Sequence, residues 1–281
     1  MFECIGVVGA GQMGSGIAHV LAQHGYPVRL YDIAEGQLPR ALTTIKQNLE
    51  RQAKKGIVEA SGIPDILSRI VPAAALEDLS ACDLAIEAVN ESETLKLDLF
   101  RQLDRLLSPQ AILASNTSSI SITRIAAATR RPDKVIGLHF MHPVPVMQLV
   151  EVIRGLETSE ATFGATVSLV AALKKTSVVA QDYPGFLVNR ILIPMINEAI
   201  FVLYEGIATA EDIDKGMKLG TNQPMGPLAL ADLIGLDTVL SILGVLYEGF
   251  KDPKYRPCPL LVNLVRAGRL GKKTGRGFYA Y

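Results

Sequence analysis

Short apolar runs alternate with stretches of helical periodicity through the first two thirds of the chain. "CIGVVG" (residues 4–9), "PVRLYD" (27–32), "LAIEAV" (84–89), "AILAS" (111–115) and "KVIGLHF" (134–140) read as β-strands. Between them, residues 13–24, 35–55 and 93–107 carry apolar positions at helical spacing. Strand alternating with helix predicts a parallel sheet covered on both faces, and continuous apolar strands suit such double coverage. After about Tyr183 the strand-like runs cease. Helical stretches follow at residues 186–204, 210–219, 233–250 and 259–267. Pro184 and Gly185 in "QDYPGF" punctuate the change. The expected architecture is an α/β domain over residues 1–183 and an all-α domain over 184–281. The first helix of the second domain is apolar nearly all round and must be buried on several sides, with Pro194 kinking it.

The first strand runs into "GAGQMG", with Gly9, Gly11 and Gly14 in the spacing G-x-G-x-x-G. Alone the motif is weak, but here it follows a strand and opens a helix inside one βαβ unit. Asp32 ends the second strand, eighteen residues after Gly14. This is the pattern of a Rossmann-type doubly wound sheet that binds a dinucleotide. Gly9 would make the tight turn, Gly11 would let the backbone approach the pyrophosphate, and Gly14 would let helix and strand pack closely. Gln12 and Met13 open the helix, whose N-terminal N–H groups attract phosphate. Asp32 is placed to accept from the adenine-ribose 2′-hydroxyl, and its charge argues for NAD over NADP.

Composition narrows the class. With 28 basic and 28 acidic residues the chain has no net charge, so bulk attraction to nucleic acid or anionic membrane is not expected. The most apolar long stretch, residues 185–206, is interrupted by Asn189, Arg190, Pro194, Asn197 and Glu198. A membrane span wants about 18 or more residues with few or no charges, so this reads as a buried helix. "MFECIGVV" has no basic segment and carries Glu3, unlike a signal peptide. Cys4, Cys82 and Cys258 form no C-x-x-C and read as plain thiols of a reduced, cytoplasmic protein, and no metal site is expected.

Chemistry is sought at the carboxyl ends of the strands, where open α/β sheets bind ligands. Of four histidines, His19 and His24 fall in the first helix and read as structural or exposed. His139 ends the strand "KVIGLHF", and His142 lies in the turn "MHPVP". Glu151 comes twelve residues after His139, and a strand–turn–strand through "HPVP" would fold it back beside the histidine. A carboxylate on one imidazole nitrogen fixes the tautomer and strengthens the ring as a general base. "SNTSSI" clusters Asn116 with Ser118 and other hydroxyls at another strand end, where Ser119 or Ser121 could also cap the next helix. Asn189 is an amide in a nearly apolar helix and needs partners, of which a substrate could be one.

The stretches "GAGQMGSGIA", "SNTSSISIT", "GLHFMHPVPVMQLVEVI", "DYPGFLVNRIL" and "LGKKTGRGFYAY" together are far more specific than the glycine motif. Through them the chain resembles the L-3-hydroxyacyl-CoA dehydrogenase family over essentially its whole length. The resemblance is nearest to the bacterial short-chain members that act on 3-hydroxybutyryl-CoA. It implies that His139 is the catalytic base, that Glu151 orients it, and that Ser118 and Asn189 hold substrate. It places Glu91, Lys96, Asn116, Ser118 and Lys273 against the cofactor with the glycine turn, and Asn48 and Lys55 against CoA. Read without it, Lys54 and Lys55 are a basic helix end that suits the dipole. The family usually has asparagine, near the nicotinamide, where this chain has His142.

The function implied is NAD-dependent oxidation of a (3S)-3-hydroxyacyl-CoA, or the reverse reduction of acetoacetyl-CoA, within fatty acid metabolism. A dehydrogenase of a non-CoA 3-hydroxy acid, such as a sugar acid or 3-hydroxycarnitine, is the alternative; competition by free CoA separates the two. A non-catalytic NAD-binding protein is a third reading, and a hydride-transfer assay decides it. The apolar first helix of the second domain further predicts a homodimer through that domain.

Overall fold

"IGVV" forms β1 (Ile5–Val8), buried at every position, and the chain turns directly into α1 (Gln12–Gln23). β2 (Val28–Tyr31), α2 (Gln37–Lys54), α3 (Ile63–Ser68) and β3 (Ile70–Ala73) complete the first half of a sheet. The second half is β4 (Leu84–Glu87), α4 (Glu93–Leu106), β5 (Ile112–Ser115), α5 (Ile122–Ala126) and β6 (Val135–Phe140). It ends with β7 (Leu149–Arg154), α6 (Glu160–Ala172) and β8 (Thr176–Gln181). This is a computed structural model, describing residues 2–281.

The eight strands lie in the order β3-β2-β1-β4-β5-β6-β7-β8. The first six are parallel; β7 runs antiparallel to β6, and β8 parallel to β7. The strand order reverses between β1 and β4, which opens a crevice at their carboxyl ends. The apolar patterning does not reveal β3 and β8, because both are edge strands. β3 contains Pro72, which an edge tolerates, and β8 is exposed or half-buried along its length.

The chain divides into two compact units, Met1–Tyr183 and Pro184–Tyr281. The second is helical: α7 (Val188–Tyr204), α8 (Ala210–Gly220), α9 (Pro227–Ile234), α10 (Leu236–Phe250) and α11 (Pro259–Arg266). Its core joins Ile196 and Ile200 of α7 to Leu228, Val239 and Leu243. The helix expected over residues 233–250 is formed from Leu236 onward as α10, and the short α9 before it is the element the periodicity does not anticipate. Gly235, at φ 101°, ends α9 and starts α10 with a bend of 97° between them. Two buried carboxylates anchor the tail "GFYAY". Asp232 accepts from the Phe278 and Tyr279 amides, and Asp214 accepts from the Tyr279 hydroxyl.

No single helix among the described residues is long and apolar enough to cross a membrane. Cys4 and Cys82, distant in sequence, bring their sulfurs to 3.1 Å across the start of β1, both as free thiols.

His19 faces the core from α1 and is wholly buried. Burial pushes its pKa from 6.5 down to about 4, against weaker help from the nearby amides of Gln52 and Gln23. The unfolded chain therefore binds a proton that the folded chain refuses. The penalty is absent above pH ~6.5 and grows as pH falls toward 4, where it reaches about 3 kcal/mol. Urea unfolding of His19→Gln across this range is expected to show a shallower acid loss than the parent. Identical slopes would assign the acid sensitivity elsewhere.

Candidate active site

The glycine turn is built from missing atoms. Gly9 has φ 100°, and a Cβ there would meet the Ala88 carbonyl oxygen at 2.5 Å. A Cβ on Gly14 would lie 1.7 Å from the Gly9 oxygen, so helix and strand could not approach as they do. A Cβ on Gly11 would meet nothing within 4 Å. Gly11 is also the N-cap of α1, with no capping side chain and no acidic residue in the first turn. The first amides of α1, at exposed Gln12 and half-buried Met13, thus remain available to an anion.

A pocket of about 470 Å³ opens beside this turn, lined by Gly9, Gly11, Asp32, Gln37, Leu76 and Val89 among others. Asp32 is held by the Ala10 amide at 2.7 Å on one oxygen and the Ala34 amide at 2.8 Å on the other. Each oxygen retains a lone pair for a further donor such as a ribose hydroxyl. The cradle at Gly11, the bare helix start and the fixed carboxylate fit a dinucleotide.

A charged network occupies the next strand ends. Lys96 is 1% exposed, and its ammonium lies 2.6 Å from Glu87 and 3.2 Å from Glu91. Glu87 also accepts from the Val89 amide at 2.7 Å and from the Ser115 hydroxyl at 2.6 Å. Burial pushes the Glu87 carboxyl up, with Lys96 pulling the other way. Glu91, at the rim, accepts from Thr117 Oγ1 at 2.5 Å, the Ser118 amide at 2.9 Å and the Ser119 hydroxyl at 2.9 Å. Burial opposes its ionisation, but Lys96 and these hydroxyls outweigh it and hold its pKa below the ordinary value. Lys96 is thus a buried partner of two carboxylates. Sequence reading overlooks Glu87, although a glutamate ending the apolar strand "LAIE" signals a buried charge in need of a partner.

The antiparallel return of β7 sets Glu151 directly opposite His139. Glu151 Oε2 lies 2.6 Å from His139 Nδ1, with the carboxylate fully buried and the imidazole 10% exposed. Asn116 accepts from the Phe140 amide at 2.9 Å, which ties the loop after β5 to the strand carrying His139. His142 is exposed in the turn between β6 and β7. Ser121 caps α5 by accepting from the Arg124 amide, and Asp182 accepts from the Ile122 and Thr123 amides there.

The sheet unit therefore carries the glycine turn, Asp32, Glu91, Asn116, Ser118, His139 and Glu151 at or just beyond strand ends, with Lys96 reaching in from α4. Asn48 is half-buried on α2, and Lys55 is exposed at its end. Asn189 lies in the first turn of α7. Lys273 belongs to the helical unit, where Asp237 holds its ammonium at 2.6 Å.

A dinucleotide cradle after β1 with a histidine–carboxylate pair on β6 and β7 of the same sheet defines the class: a nicotinamide-nucleotide-dependent dehydrogenase. Residues 4–183 match the family described as 3-hydroxyacyl-CoA dehydrogenase, NAD binding domain, and residues 185–281 match its C-terminal domain. The chain is 57% identical to a 3-hydroxybutyryl-CoA dehydrogenase of Bradyrhizobium diazoefficiens, covering 99% of this chain and 94% of that one. It is 50% identical to a 3-hydroxybutyryl-CoA dehydrogenase of Clostridioides difficile, over 99% of each. The crystal structure of (S)-3-hydroxybutyryl-CoA dehydrogenase from Ralstonia eutropha superposes with a TM-score of 0.97 at 49% identity, covering 100% of this chain and 99% of that one. The chain belongs to the 3-hydroxyacyl-CoA dehydrogenase family and is an NAD-dependent enzyme of that family.

Asp32 should set the choice between NADH and NADPH. The parent enzyme is expected to favour NADH in kcat/KM by at least about tenfold, a difference of ~1.4 kcal/mol. Asp32→Ser should move the ratio toward NADPH, because the charge that repels a 2′-phosphate is gone. Equal efficiency of the parent with both cofactors would remove Asp32 from this role.

Proposed function

We propose that this enzyme interconverts (S)-3-hydroxybutyryl-CoA and acetoacetyl-CoA, with His139 as acid and base and Glu151 as its partner. The observation that carries the reading is the buried 2.6 Å contact between His139 Nδ1 and Glu151. Nδ1 donates to the carboxylate, which leaves Nε2 to exchange a proton with the 3-oxygen of the substrate. The glycine turn and Asp32 would hold NAD, which would supply the hydride acceptor for C3 of the substrate. In oxidation His139 takes the hydroxyl proton, and Glu151 stabilises the imidazolium; in reduction His139 returns the proton. Ser118 and Asn189 hydrogen-bond the substrate oxygens, so that charge develops among fixed donors. Asn48 and Lys55 on α2 are the proposed CoA contacts, and Lys273 and His142 are proposed cofactor neighbours. The 3-hydroxybutyryl group is favoured by the relatives' names and near-complete coverage.

His139→Gln is expected to lower turnover of acetoacetyl-CoA with NADH by ~10²-fold or more, the size of a general acid–base contribution. NADH should still bind. Glu151→Gln should also lower turnover. Near-normal turnover in the histidine variant would end the assignment. Inhibition by free CoA against acetoacetyl-CoA tests the CoA contacts.

The proposed assembly is a homodimer through the helical unit. That unit leaves Ile191, Tyr204 and Ile207 more than half exposed around α7, and exposed apolar surface of this kind marks interfaces. Light scattering at micromolar concentration should give twice the 30.2 kDa chain mass. A monomer would contradict the proposal.

A further inference from the structure

Glu87 is 0% exposed at the end of a strand buried at all four positions, so it meets neither cofactor nor solvent. An apolar residue would serve β4 at least as well, because a buried ion pair is seldom better for stability than well-packed apolar groups. Its partners suggest another role. One oxygen accepts from Lys96, whose ammonium also reaches Glu91. The other accepts from Ser115 Oγ, which in turn accepts from the Thr117 amide at 3.1 Å. The two arms meet where Thr117 Oγ1 donates to Glu91. Glu87, Lys96, Glu91, Thr117 and Ser115 thus close a ring across β4, α4 and β5. The loop this ring grips, residues 116–119, holds Asn116 on the Phe140 amide and Ser118 on Glu91.

We propose that Glu87 is a positioning residue: acting through Lys96 and Ser115, it fixes Glu91 and the 116–119 loop in the arrangement that receives cofactor and substrate. The inference rests on the reading of this rim as the active site. Glu87 shares the ammonium with Glu91, and that sharing leaves Glu91 at the rim, facing the serines. With Glu87 neutral, Lys96 attracts Glu91 alone and draws it off the loop.

Three variants test this: Glu87→Gln, Glu87→Gln/Lys96→Met and Ser115→Ala. Each is followed by melting temperature, by NADH affinity from the cofactor's own fluorescence without substrate, and by kcat and KM with acetoacetyl-CoA. Glu87→Gln should lower kcat/KM by about tenfold or more and weaken NADH, and it should melt earlier because a buried ammonium loses one of its two carboxylates. The double variant removes both charges and should recover most of the melting temperature without recovering NADH affinity or kcat/KM. Ser115→Ala keeps the Glu87–Lys96 pair and removes only the donor to the second Glu87 oxygen and the acceptor of the Thr117 amide, so it should melt somewhat earlier yet stay folded at the assay temperature, and should show a smaller loss of the same kind. A merely structural role predicts the opposite, with both functional readouts normal wherever the variant is folded at the assay temperature. That result in the double variant or in Ser115→Ala overturns the proposal. If Glu87→Gln does not fold, Ser115→Ala decides. If the parent enzyme fails to reduce acetoacetyl-CoA, the substrate reading falls, while the NADH series still judges Glu87.

Discussion

The reversal of a single strand governs the chemistry. A sheet covered on both faces has only its strand ends for polar work, and a parallel neighbour comes beside a strand only after a long crossover. Antiparallel β7 needs only a turn. It returns at once along β6 and places Glu151 in direct register with His139. The pair is then fixed by main-chain hydrogen bonding, and a one-residue slip would turn one of the two side chains to the other face. A buried carboxylate is costly unless paired, so the fold and the histidine need each other.

The same requirement shapes the neighbouring strand ends. β4 and β5 finish in Glu87 and Ser115, and both are fully buried. Their polar groups are satisfied by one another, by Lys96 and by the turn that follows. The dinucleotide cradle relies on the contrary device. At Gly9 and Gly14 the absence of side chains lets backbone approach backbone, and at Gly11 it leaves open space. Polar networks thus hold the centre of the rim, and bare backbone forms the cofactor edge.

Much of this was legible in the sequence, for reasons that differ by element. The central strands announce themselves because burial on both faces makes them apolar throughout. The glycine turn and Asp32 are local in the chain, and the return from His139 to Glu151 spans only twelve residues with prolines between. The edge strands β3 and β8 lack the apolar signature because little of their surface is covered. The break between α9 and α10 rests on one glycine in an apolar run, where periodicity continues across it. Glu87 escaped because its partners lie on other elements. Lys96 is nine residues away and Ser115 twenty-eight, and only the sheet brings them together.

The bond between the Asn116 side chain and the Phe140 amide has a use beyond holding two strand ends together. That amide sits next to His139, and its acceptor is a side chain rather than a neighbouring strand. Solvent hydrogen can therefore replace its proton when the loop after β5 lets go, without the sheet coming apart. One exchangeable proton beside the histidine thereby serves as a gauge of how often the rim of this enzyme opens.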